Sequence, residues 1–213
     1  ARVFPHGCEL SIAHGGIAIP VINPLSMETI KANLDLANAA HPFAVSLVID
    51  SAGLPHLKKV SPDAGAKSVE QLRELCEYAE MPVIIKGVMT ARGAEKALEA
   101  GASGIVVSNH GGRVLDHCPA TAEVLPEIAD AVGGKMTIFV DGAIRSGMDI
   151  FKALALGADA VLIGRPFVTS VYGGGEEGVK LYVSKLKAEL ADTMRMCGAH
   201  SLAEIDRSMI YRG

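Results

Sequence analysis

Six short apolar runs alternate with amphipathic stretches, one helix-to-strand joint occurs twice, and reactive side chains sit just after the runs. Together these observations predict an α/β fold. The class they select is a (β/α)8 TIM-type barrel apparently lacking its first two strands, a partial barrel made of strands three to eight. Residues 1–213 read as one domain, because no Pro/Ser-rich linker and no low-complexity segment divides them.

The first run, Ile17–Ile22, is followed by a helical pattern over Glu28–Ala40. The second, Ala44–Ile49, precedes the amphipathic Ser68–Ala79, and the third, Pro82–Ile85, precedes Ala91–Ala100. Gly104–Val107 pairs with Thr121–Val132, and Thr137–Val140 with Gly147–Leu156. The sixth run, Ala160–Ile163, leads to a longer closing helix over Glu176–Cys197, with Gly173–Gly175 read as a loop that opens it. Continuous apolar runs suit parallel strands buried on both faces, and the intervening helices are the right-handed crossovers such strands require. Leu98–Val107 and Leu154–Ile163 resemble each other: each has a glycine (Gly101, Gly157) at the helix end, then a small residue, then the strand. That repetition favours βα modules over an open Rossmann sheet. Six strands are two short of a closed barrel, and an open sheet would leave two bare parallel edges, which isolated proteins generally avoid.

The chain is 49% hydrophobic with a formal net charge of −4, enough apolar content for a core and no basic footprint for nucleic acid. No apolar run approaches the roughly 18 residues of a membrane span. Four scattered cysteines without a C-x-x-C pair read as idle thiols in a reducing, cytoplasmic setting. Histidines other than His110 share no ligand spacing, so no metal site is expected. His14–Gly16 precedes a strand and falls on the barrel's stability side.

In a barrel, functional side chains follow the C-terminal ends of the strands. Those positions hold Asp50, Lys86, Ser108 with His110, Asp141-Gly142-Ala143-Ile144-Arg145, and Gly164-Arg165. His110 fits a general base because imidazole titrates near neutrality, and Asp50 fits the carboxylate that holds the ring and stabilises its protonated form. Arg113, three residues on, suits a carboxylate or phosphate. Lys86 reads either as a cation stabilising a bound ring or oxyanion, or as a Schiff-base nucleophile. Gly142 and Arg145, with Gly164 and Arg165, come from the last two strand ends, where barrels commonly bind phosphate. The plain alternative is that both arginines pair with surface carboxylates.

The motifs Lys86-Gly87-Val88, Ser108–Asp116, Pro119-Ala120-Thr121, Leu125–Ile128, Asp141–Arg145, Lys152–Ala158 and Gly164-Arg165-Pro166 carry a resemblance. Nearly continuously from Pro82 to Ile210, the sequence resembles the FMN-dependent 2-hydroxy-acid dehydrogenase and oxidase family, to which glycolate oxidase and lactate oxidase belong. The resemblance implies oxidation of a small 2-hydroxy acid by proton abstraction and hydride transfer to flavin. It implies His110 as the base, Asp50 as its orienting acid, and Arg113 as the clamp on an anionic substrate. Lys86 and Ser108 correspond to flavin-ring contacts, and Asp141, Gly142, Ala143, Ile144, Arg145, Gly164 and Arg165 to the FMN ribityl-phosphate groove. Three departures stand out, the first being that the family's N-terminal tyrosine and the flavin contacts of its first two strands have no counterpart in these residues. The region Pro20–Asn23 has no tyrosine where the family carries a substrate-binding one, and Ala143 replaces a glycine, a small change expected to be tolerated. Upstream, Ala1–Asn23 fits only loosely. The alternatives are an FMN-dependent isomerase of the type 2 isopentenyl-diphosphate isomerase kind and a non-catalytic, flavin-binding partial barrel. The expected partners are a small anionic substrate and either a second copy of the chain or an N-terminal segment supplying the absent strands.

Overall fold

A computed structural model describes residues 3–211. Six strands, β1 (Val21–Ile22), β2 (Val45–Val48), β3 (Val83–Val88), β4 (Gly104–Val107), β5 (Thr137–Val140) and β6 (Ala160–Val161), form one sheet in sequential order. Every pairing is parallel. The helices are α1 (Val3–Ala13), α2 (Met27–Ala40), α3 (Pro55–Val60), α4 (Val69–Tyr78), α5 (Ala91–Glu99), α6 (Thr121–Val132), α7 (Gly147–Ala155) and α8 (Arg165–Cys197).

The helix starts follow from local chemistry. Ser26, Ser68, Thr90 and Ser146 each accept the backbone N–H three positions into the following helix, satisfying a donor the first turn leaves free. Ser68 and Ser146 do so in reciprocal capping boxes with Gln71 and Asp149. Gly101 and Gly157 both take left-handed backbone, as the repeated joint anticipates.

The sheet is open, with β1 and β6 each bonded to one neighbour among the described residues. The apolar runs Ile17–Ile22 and Ala160–Ile163 accordingly shrink to two paired residues each, because an edge strand has half the ladder to hold it straight. Strand β3 runs on to Val88, past the predicted Ile85, with its register shifting between Lys86 and Val88. A Cβ on Gly87 would lie 2.6 Å from Asp50 Cβ, so the bare backbone at this bulge makes room for Asp50.

Two helices, α1 and α3, escape the sequence reading. The closing helix also starts eleven residues earlier than expected, at Arg165 rather than Glu176. Gly175 breaks it with non-helical backbone, and the two halves fold back so that Phe167 meets the edge of Tyr182 at 5.2 Å. A Cβ on Gly178 would lie 2.3 Å from the Ser170 carbonyl, so the small residues near the triplet permit a helical hairpin.

The main core lies between the sheet and its helices. Val83, Ile85, Ile105, Val107, Ile138 and Val140 pack there with Ile30, Leu34, Leu75, Leu125, Ile128 and Val132. The opposite, concave face carries a small cluster of Ala44, Ile84 and Val106, with Ile19 and Phe139 partly buried against it. Cys8, Cys76, Cys118 and Cys197 are free thiols, and burial, followed by the charge of Glu77, pushes Cys76 up to about 11. Among the described residues, no helix is long and apolar enough to cross a membrane.

Candidate active site

Side chains alternate along a strand, so the residue two positions beyond an inward apolar one faces the same way. Two positions after Ile84, Val106 and Phe139 come Lys86, Ser108 and Asp141, which meet at the C-terminal mouth of the sheet. Lys86 Nζ donates to Ser108 Oγ (2.5 Å) and to Asp141 Oδ2 (2.8 Å). Ser108 Oγ donates to Asp141 Oδ2 at 2.9 Å and accepts the His110 N–H at 3.1 Å. The ammonium and the carboxylate are each about four-fifths buried. Removing one partner of such a pair would leave the other buried without compensation.

His110 begins the loop after β4, and Asp50 the 3-10 turn Asp50–Gly53 after β2. Their side chains meet at 3.0 Å, His110 Nδ1 to Asp50 Oδ1, with Asp50 only 7% exposed. A carboxylate only accepts, so Nδ1 carries a proton, and in the neutral ring the lone pair is then on Nε2. His110 holds φ 56°, left-handed backbone that a non-glycine residue adopts at a cost of roughly 1 kcal/mol. Asn109 braces this loop at both ends, accepting the Gly112 N–H and donating to the Pro119 carbonyl, each at 3.1 Å.

Beside these groups lies a cavity of about 240 Å³. Lys86, His110, Arg113, Asp141, Gly142, Ala143, Ile144, Arg145, Gly164 and Arg165 all line it, so ten of the twelve predicted site residues border one space. Asp50 and Ser108 stand directly behind His110 and Lys86. Leu162, Ile163 and Pro166 also line it and were not anticipated; their signal was adjacency to Gly164-Arg165 at the end of the sixth run. Arg165 Nη2 donates to the Gly111 carbonyl at 3.2 Å. Among the described residues, neither Arg145 nor Arg165 has a carboxylate within 4.0 Å, so the surface ion pairs of the plain alternative are not formed. A larger, mostly apolar cavity of about 840 Å³ opens elsewhere, between α6, α7, α8 and the C-terminal segment, but it holds no base paired with a carboxylate.

The turn after β5 is held from below. Partial burial opposes ionisation of Asp149, yet hydrogen bonds from the Ser146 hydroxyl and from the N–H groups of Arg145 and Ser146, with the Lys152 charge, outweigh it. The Asp149 carboxyl is thereby held below the usual aspartate range. Gly142 (φ 101°) and Ala143 (φ 59°) both take left-handed backbone, so the alanine is accommodated with a non-glycine strain. Helix α8 starts at the cavity with Gly164 as its cap and no side chain satisfying its first turn.

The sequence profile of FMN-dependent dehydrogenases matches residues 23–212. A peroxisomal (S)-2-hydroxyacid oxidase from Arabidopsis thaliana is 46% identical over 144 residues, 68% of this chain and 39% of that protein. A 2-hydroxyacid oxidase from Dictyostelium discoideum is 45% identical over 140 residues, 66% of this chain and 36% of that one. Among solved structures, a mandelate oxidase mutant with (S)-mandelic acid superposes with a TM-score of 0.85 at 32% identity, covering 94% of this chain and 65% of that one. A lactate oxidase from Pediococcus acidilactici gives 0.81 at 32% identity, covering 95% and 63%. The chain thus spans about two fifths of the length of the curated relatives it matches. The profile covers β2 to β6 and every residue around the cavity, and on that ground the chain belongs to the FMN-dependent dehydrogenase family.

Proposed function

We propose that this chain carries the flavin site and the base of an FMN-dependent oxidoreductase that oxidises a small 2-hydroxy acid. The observation that carries the proposal is the convergence of the Asp50–His110 pair and the Lys86–Ser108–Asp141 cluster on a cavity bordered by three arginines without carboxylate partners among the described residues. The residues present fit FMN. Arg145, Arg165 and the uncapped start of α8 offer charge and N–H donors for a phosphate. Asp141, which lines the cavity, has a buried acceptor, Oδ1, without a donor among the described residues, which suits a ligand bringing hydroxyl or ring N–H groups. When bound, FMN supplies the acceptor for the substrate's two electrons.

The protein's own groups do the rest. Arg113 holds the substrate carboxylate, and His110 Nε2 takes the proton from the 2-hydroxyl. Asp50 fixes the imidazole and stabilises its protonated form. Lys86, already committed to Asp141 and Ser108, places positive charge at the cavity floor where negative charge builds up. The same commitment disfavours the Schiff-base alternative for Lys86, since a nucleophilic lysine must shed its proton. The assembled His110–Asp50 pair supports oxidation over the isomerase and over a non-catalytic flavin carrier.

We read the six strands as the third to eighth of a barrel and residues 1–213 as one domain. The superposition on nearly two thirds of mandelate oxidase supports that numbering. A cytoplasmic location and a homo-oligomer are the accompanying proposals; fractionation, set against the peroxisomal relatives, and the mass in solution test them. The central test is anaerobic addition of 2-hydroxy acids to protein reconstituted with FMN. Bleaching of the flavin absorbance is expected. Bound flavin that no 2-hydroxy acid reduces would overturn the oxidation.

A further inference from the structure

Thr121 is buried, 5% exposed, and its hydroxyl does not cap its own helix. The free N–H at the start of α6 is instead taken by Glu123, whose carboxylate accepts from Ala120 at 2.6 Å. Thr121 Oγ1 reaches across to β5 and donates to the Asp141 carbonyl at 2.6 Å. The next residue, Gly142, has no side chain at the point where one would meet that oxygen, a Cβ there lying 2.8 Å from Thr121 Oγ1. The hydroxyl therefore fills the space beside the Asp141–Gly142 peptide and fixes which way it faces.

That peptide is shared by both halves of the site. On one side the Asp141 carboxylate accepts from Lys86 and Ser108. On the other, Gly142 begins the turn to Arg145 that lines the cavity. Thr121 also stands immediately after the loop bearing His110 and Arg113, whose downstream end Asn109 ties at Pro119. We propose that Thr121 is a positioning residue: its hydroxyl sets the Asp141–Gly142 peptide and holds the His110 loop in register with the phosphate-binding turn. The functional consequence rests on the FMN reading above; the mechanical one does not.

The test compares the wild type with Thr121→Val, which keeps the shape and loses the donor, and Thr121→Ser, which keeps the donor. Amide exchange is followed without flavin over residues 108–113 and 142–145, and FMN affinity is read from quenching of flavin fluorescence. Losing one neutral hydrogen bond should speed exchange in both segments and weaken FMN by roughly fivefold in the valine variant, with serine restoring both. A merely structural threonine would instead lower the melting temperature and raise exchange throughout α6. Valine matching the wild type in both readouts, or serine as impaired as valine, would overturn the proposal. If the wild type itself takes up no FMN, the flavin reading falls while the exchange comparison still decides the role of Thr121.

Discussion

On the helix-covered face of the sheet, Val83, Ile85, Val88, Ile105, Val107, Ile138 and Val140 of β3, β4 and β5 are aliphatic and buried, in one core with the covering helices. On the concave face the same strands place one apolar layer, Ile84, Val106 and Phe139, and then, one pleat further, Lys86, Ser108 and Asp141. The difference separates stability from chemistry by a two-residue step. The convex face is uniform because apolar burial has no direction, whereas the concave face grades from apolar to ionic because its upper end meets a cavity. At the mouth, His110 and Ala143 hold left-handed backbone.

Substitutions at the mouth and in the convex core should therefore break different properties. The largest effect is expected from His110→Ala, which should slow flavin reduction by about 10²–10⁴-fold while FMN stays bound. Stopped-flow reduction and the visible spectrum of the purified variant read the two halves, and loss of FMN would place His110 in the cofactor site instead. Leu125→Ala, at a fully buried convex position, should lose roughly 2–5 kcal/mol of stability with an unchanged reduction rate per folded molecule. Chemical denaturation and rate measurements on one sample check that separation. Arg165→Ala should weaken FMN by roughly 1.5–3 kcal/mol, the worth of a charge-assisted bond to phosphate, and unchanged affinity by titration would remove Arg165 from that role.

A smaller effect sharpens the strain argument. Ala143→Gly should stabilise the turn by at most about 1 kcal/mol, as relief of left-handed strain is offset by the greater freedom of glycine in the unfolded chain. Thermal melting measures it. The smallest concerns acid. Asp149 titrates lower in the folded than in the unfolded chain, so its contribution is complete above the ordinary aspartate value of 3.8 and fades as pH falls through the lowered one. Asp149→Asn should flatten that segment of the stability profile and lower its neutral limb, as denaturant unfolding at acid and neutral pH would show.

Much of this was readable in the residues. Short aliphatic runs with glycine-capped joints gave the strand order, because parallel strands buried on both faces leave little room for polar interruption. The strand-end positions gave the candidate site, because a barrel sends its C-terminal ends to one mouth. What stayed hidden had weak local signals. Helix α3 is a single short turn of chain around Pro55, and the start of α8 runs through three glycines that read as a loop. Thr121 was visible as part of a motif, but nothing local points its hydroxyl at a carbonyl twenty residues away.

The sequence by itself determined the order of the elements, the face each strand residue takes, and the types of side chain delivered to the mouth. These depend on period and composition, which are local. Only the tertiary structure decided that Asp50 reaches His110 across sixty residues, that Lys86 binds Ser108 and Asp141 together, and that the sheet stays open at β1 and β6. Those outcomes depend on strand register, twist and the close approach that Gly87 permits, and no residue's own preference encodes them.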